Sequence, residues 1–324
     1  MELTELPPEI GKLVQLKRLI LGKDDRDQRK RYGNSLTDLP KEIQQLQQLE
    51  ELSLPYNKFI VIPESVTQLP NLKFLDLNDN EVNSIPDSIA QLVNLEKLYL
   101  DDHQLSVLPE SIFQLLNLQC LSFNNSQLSN FPEFISNLRN LRELSLQRNE
   151  LTTIPDWIIE STKLEVLDLG KNQIAKIPNS ITRLTNLTKL RLSNNPLGRI
   201  PDSITQLVSL KKLSLSKSQI SEIPDSIGQL INLDWLSFVQ NQVSVIPNSV
   251  SNLRNLKELI IWENEITSIP ESIGNLVNLE TLSIGRNQIN RIPDSIGGLI
   301  NLKNYILVKT TSLEFQIQLQ VCHL

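Results

Sequence analysis

The chain has 324 residues, a formal net charge of −6 and a pI near 5.2. That balance argues against a general affinity for nucleic acid or anionic membrane, and no apolar run approaches the roughly 18 residues that span a bilayer. Two cysteines, Cys120 and Cys322, are too few for a disulfide framework, and the opening MELTELPPEIGKL has neither a basic leader nor an apolar core, so no secretory signal is expected.

In chain order, LTELPPEIGKL is half of a unit that recurs further along, followed by a first apolar triplet of Leu16, Leu19 and Leu21. Ten residues, Gly22 to Arg31 (GKDDRDQRKR), then intervene before Asn34. Their charge predicts a solvated loop; a basic contact loop or a nuclear signal is the alternative reading. Proline next falls at 40, 63, 86, 109, 132, 155, 178, 201, 224, 247, 270 and 293, always 23 residues apart. Around it the repeat reads L-x-x-L-x-L-x-x-N-x-L-x-x-I-P-x-S-I-x-x-L-x-N. Thirteen segments carry the leading triplet, the last at Leu302, Tyr305 and Leu307, and eleven complete units begin between Leu49 and Leu279.

The end of each triplet alternates apolar and polar residues, the period of a strand with one buried face. One such strand cannot bury that face alone, but a stack of them builds a continuous core. Asn34, Asn57, Asn80, Asn149, Asn172, Asn195, Asn241, Asn264 and Asn287 share one position. An inward amide there donates to and accepts from the backbones of adjacent turns; His103, Ser126 and Ser218 replace it and still hydrogen-bond. The proline is expected at the first position of a short helical turn, with an acidic residue behind it. A second asparagine, as at Asn94, Asn232 and Asn278, is expected to end that turn in the left-handed conformation. At about 4.8 Å per strand the sheet forms an arc roughly 60 Å long, on the inside of the curve because strands pack more closely than the convex turns. The final SLEFQIQLQV leaves the repeat and alternates Leu313, Phe315, Ile317, Leu319 and Val321, which predicts a strand returning antiparallel along the last sheet edge.

The 23-residue form with L/I-P-x-S/E-I-x-x-L resembles the Ras-group class of leucine-rich repeats, from residue 3 to about 308. The resemblance implies an α/β-type repeat solenoid, a curved horseshoe with a parallel β-sheet on the concave face and short helical turns on the convex face. The chain then divides into an N-terminal half-repeat, first strand and insertion (1–34), the repeat array (35–308) and a capping tail (309–324). Such arrays occur in bacterial repeat proteins, in Scribble-type scaffolds, in plant intracellular Ras-group proteins and upstream of the GTPase domain of Roco proteins. The resemblance implies binding of other proteins, sometimes small GTPases, and carries over no catalytic residue.

The residues agree with a non-enzyme. No glycine-rich phosphate loop, Cys/His metal spacing or nucleophile elbow occurs, so neither cofactor nor metal is expected. His103, Ser126 and Asp101 can be drawn as a triad, but the first two occupy the inward position, out of a substrate's reach. Asp76 and Asp101, on neighbouring strands, lack the further ligands a cation needs. Cys120 and the end of the array lie roughly 40 Å apart against a disulfide reach of about 7 Å, so both thiols are expected free, in a reducing, cytoplasmic setting.

Function is expected at the outward positions between the buried leucines, which the fold leaves open. The early strands give Phe74, Asp76, Tyr99 and Asp101, an acidic strip with two aromatics. The middle is small and polar from Cys120 to Gln147, and Lys189, Arg191 and Lys212 make a basic patch. Trp235, Val239, Ile260 and Trp262 then fall on adjacent strands, expected within about 5–10 Å of one another. Large apolar groups gathered on an open face predict a protein-binding hot spot. Trp157, on the convex side, reads as local packing. A shallow arc does not enclose a small molecule, whereas a ligand touching both charged patches would span roughly 25 Å. The expectation is a monomeric, non-enzymatic scaffold whose concave face binds a protein partner, such as a small GTPase or signalling protein, with no nucleic acid and no membrane span. Two alternatives stay open: the sensory part of a larger signalling protein such as a Roco-type GTPase, and an exported effector that binds a host protein.

Overall fold

The computed structural model describes residues 2–25, 30–103, 105, 108–126 and 137–308. The expected capping tail, Cys322 and residues 26–29 of the insertion lie outside them. The chain forms two compact units, Met1–Leu190 and Arg191–Leu324.

The triplets become three-residue strands. The first unit holds β1 (Arg18–Ile20), the hairpin strands β2 (Lys23–Asp25) and β3 (Lys30–Tyr32), then β4 (Glu51–Ser53), β5 (Phe74–Asp76), β6 (Lys97–Tyr99), β7 (Cys120–Ser122), β8 (Glu143–Ser145) and β9 (Val166–Asp168). β10 (Lys189–Arg191) falls at the division. The second unit holds β11 (Lys212–Ser214), β12 (Trp235–Ser237), β13 (Glu258–Ile260), β14 (Thr281–Ser283) and β15 (Asn304–Ile306). Apart from the hairpin these are thirteen strands, one for each triplet. Within each unit they pair in parallel, and equal repeat lengths set every position opposite its own counterpart, as in Leu52↔Leu75 and Leu236↔Leu259. The arrangement is a leucine-rich-repeat solenoid, as the periodicity requires.

Stacking like on like buries each leucine against the next. Leu49, Leu52, Leu54, Leu72, Leu75 and Leu77 are all 0% exposed, and each such side chain contributes about 1.5–3 kcal/mol by leaving water. The inward asparagine completes this core. Asn172 Nδ2 donates to the carbonyls of Leu146 at 2.9 Å and Leu169 at 3.0 Å, while its Oδ1 accepts from Leu151 N–H at 3.1 Å. His103 and Ser218 keep part of the pattern, through Asn80 O at 3.1 Å and Leu192 O at 3.3 Å respectively.

Three local expectations need correction. The proline is not the first residue of the helical turn but caps it from outside. Pro86, at φ −71° and ψ 149°, is extended, and its carbonyl accepts from Ile89 N–H at 3.0 Å while Asp87–Gln91 forms the one-turn helix. The second asparagine does not take a left-handed conformation. Asn94, Asn232 and Asn278 instead donate from Nδ2 to Pro70, Val208 and Arg254 carbonyls of the preceding repeat, each at 2.8–2.9 Å. Positive φ falls elsewhere, on the residue before the inward position from Tyr56 to Arg286, and also at Gly198 and Gln219. The insertion, expected as a solvated loop, is an antiparallel hairpin. Gly22 at its base lies so close that a Cβ would overlap the Pro55 carbonyl, and Arg31 reaches over the Tyr56 ring, 5.3 Å from its centroid, toward Asp79 at 4.0 Å.

On the helical side, Trp157 lies in the turn Asp156–Glu160 and is 5% exposed, a packing residue as read from its position. Among the described residues no helix is long and apolar enough to cross a membrane.

Candidate functional site

In-register pairing turns the outward side chains of the second unit into rows. Lys212, Trp235, Glu258, Thr281 and Asn304 form the first row, and Ser214, Ser237, Ile260, Ser283 and Ile306 the second. Just past the strands a third row follows: Ser216, Val239, Trp262, Gly285 and Val308. Trp235, Val239, Ile260 and Trp262 are all half-buried on this face. Along the chain Trp235 precedes Val239 by four residues, roughly 13 Å of backbone at 3.3 Å per residue. Trp235 stands between Lys212 and Glu258, while Val239, Ile260 and Trp262 gather at the strand ends.

Trp262 is held in place. Its ring lies over Gly285, where an added Cβ would meet Cε3 at 2.7 Å. The Arg286 guanidinium sits 5.7 Å from the ring centroid and pairs with Glu263 at 3.3 Å. Gln240 Nε2 donates to the same Glu263 oxygen at 3.1 Å. The indole therefore rests on bare backbone, with a tethered cation against it.

The third row also carries a hydrogen-bond ladder that sequence reasoning missed. In the first unit, Asp101 N–H donates to Asn78 Oδ1 at 2.7 Å, Asn124 N–H to Asp101 Oδ1 at 2.8 Å and Gln147 N–H to Asn124 Oδ1 at 2.6 Å. In the second, Ser216 N–H donates to Ser193 Oγ and Val239 N–H to Ser216 Oγ, both at 3.2 Å. Asn78, Asp101, Asn124, Ser193 and Ser216 thus satisfy the backbone donor of the next repeat, while Gly170 N–H turns to Asp168 Oδ1 at 3.0 Å and interrupts the series. Valine, tryptophan and glycine have no such acceptor, so the ladder stops at Val239. Among the described residues the N–H groups of Trp262 and Gly285 make no hydrogen bond. Asn, Asp or Ser recurring at 23-residue spacing was the signal available in the sequence.

The first unit's face is more closed than expected. Phe74 and Tyr99 meet in a tilted pair, with centroids 5.5 Å apart and planes at 46°. Asp76 lies opposite Tyr99, not Asp101, and accepts from Asn78 N–H at 3.0 Å. Asp101 belongs to the ladder and also takes Ser122 Oγ at 2.6 Å and Asn124 Nδ2 at 3.0 Å. Burial pushes its pKa above the usual carboxylate value, and the bonds from Ser122 and Asn124 offset part of that rise. Its oxygens accept these bonds from within the fold. Cys120 faces the same side yet is only 6% exposed; its thiol donates to the Tyr99 hydroxyl at 3.3 Å, and burial pushes its pKa up to about 11. Of the basic residues, Lys189 belongs to the first unit, whereas Arg191 and Lys212 belong to the second. His103 and Ser126 are both buried, and burial holds the imidazole pKa below 6.5. Among the described residues no group of three or more His, Cys, Asp or Glu could hold a metal ion.

Comparison with protein families and solved structures agrees with this geometry. The family described as "Leucine-rich repeat region" matches residues 64–151 and 129–219, and "Leucine rich repeat" families match 254–308 and 209–230. The chain belongs to the leucine-rich-repeat proteins. A leucine-rich-repeat protein of Leptospira interrogans superposes with a TM-score of 0.85 at 37% identity, over 94% of this chain and 81% of that one. An internalin of Listeria monocytogenes matches with a TM-score of 0.72 at 27% identity, over 82% of this chain and 76% of that one. A plant peptide hormone receptor, RGFR1, solved in complex with RGF2, matches with a TM-score of 0.71 at 32% identity over 94% of this chain, which spans 53% of the receptor. No curated protein sequence matches the chain. The leucine-rich-repeat fold is commonly a protein-interaction module and is generally non-catalytic.

Proposed function

We propose that this chain is a non-enzymatic interaction module that captures a protein partner on the sheet face of its second unit. The observation that carries the reading is the half-buried Trp262 laid over Gly285, with Val239 and Ile260 beside it on an outward face. Tryptophan is the residue most enriched at interface hot spots, and an indole already fixed before binding loses little entropy when a partner arrives. The RGFR1 complex shows that a relative of this fold receives a second molecule. Affinity capture from native lysate, read by mass spectrometry, tests the proposal against a Trp235→Ala/Trp262→Ala control. The double variant is expected to lose the principal partner while its melting temperature stays within a few degrees. Undiminished capture by the variant would move the binding site to another surface.

A further inference from the structure

We infer that the partner presents an extended, acidic segment with an aliphatic or aromatic anchor to this face; the inference rests on the function proposed above. Three observations converge on that chemistry. First, the Trp262 N–H makes no hydrogen bond among the described residues. Backbone donors away from water require an acceptor, and the ladder supplies one to Val239 but none beyond it. A partner's carbonyl or carboxylate oxygen supplies what Val239 cannot.

Second, Lys212 and Lys217 are exposed and make no ion pair among the described residues. Lys212 lies directly opposite Trp235, and Lys217 N–H donates to the Val239 carbonyl at 2.8 Å, so both cations border the apolar residues. On the far side Arg286 is already neutralised by Glu263. Glu258, on the other side of Trp235, also makes no ion pair among the described residues, so two lysines stand against one carboxylate and the balance beside the patch is positive, which favours carboxylates on the partner. Third, the apolar residues lie along a diagonal from Trp235 to Trp262 on an open face, a footprint that an extended segment covers.

Selection of random dodecapeptides displayed on phage tests this. The targets are the intact chain, the Trp235→Ala/Trp262→Ala variant and a Lys212→Glu/Lys217→Glu variant, each checked for an unchanged melting temperature. Peptides that bind the intact chain and fail on the tryptophan variant should be rich in Asp and Glu around an apolar residue. They should bind the charge-reversed variant about tenfold more weakly, and lose affinity as salt rises through the Debye regime. Tryptophan-dependent peptides that are neutral or basic, or that ignore the charge reversal, would overturn the inference while leaving the proposed function standing. Absence of any tryptophan-dependent peptide would overturn both.

Discussion

One missing side chain decides where Trp262 can lie. Gly285 occupies the same position one repeat later, and only a residue without a Cβ leaves the indole its resting place. Gly285→Ala is therefore expected to destabilise the protein by about 1–3 kcal/mol through overpacking. In a Trp157→Phe/Trp235→Phe background it should also change Trp262 emission and its quenching by iodide. Unaltered stability and emission would show that the ring is not held there. The outward aspect of both tryptophans was legible in the sequence, because alternation alone assigns faces. The support beneath Trp262 was less so, since it appears only when residues 23 apart are compared. Cys120 shows the limit of reading faces: it points outward as expected, but Tyr99 and Glu143 flank so small a side chain that it is sealed from solvent.

Between repeats, asparagine amides at the inward position do work that hydrophobic packing cannot. Asn172→Ala would leave Leu151 N–H and the Leu146 carbonyl without partners in the core, at a cost of about 2–4 kcal/mol. Urea unfolding followed by circular dichroism measures this, and a loss below about 1 kcal/mol would mean that the amide's bonds are replaceable. The inward asparagine was readable from its strict recurrence and its polarity inside an apolar pattern. The proline was misplaced by one residue because a fixed φ near −70° suits both a cap and a first helical position; only ψ, at 149°, separates them. The convex asparagine was likewise ambiguous, since both a left-handed turn and a bond to the previous repeat place it at a helix end. The positive φ values escaped notice because Tyr56, Lys217 and Glu263 are not residues that advertise that conformation. Such positions are tolerated where the strand must turn sharply into the loop before the asparagine.

At the scale of the molecule, the periodicity was sufficient to establish the fold class. Thirteen triplets gave thirteen parallel strands, because a repeat of constant length can bury its leucines only by stacking position on position. What interrupts the period was not legible. The hairpin of β2 and β3 carries charge like a loop, and Gly22 and Arg31 meet Pro55, Tyr56 and Asp79 from later repeats. The candidate site stands between these cases, with its residues named by alternation and its backbone donors revealed only by the geometry. Amide hydrogen exchange of the intact chain, with and without its captured partner, tests the central claim most directly. The account predicts slowing confined to residues 233–243, 256–266 and 279–287. Slowing on residues 74–101 or on the helical turns, with no change across 235–262, would contradict it.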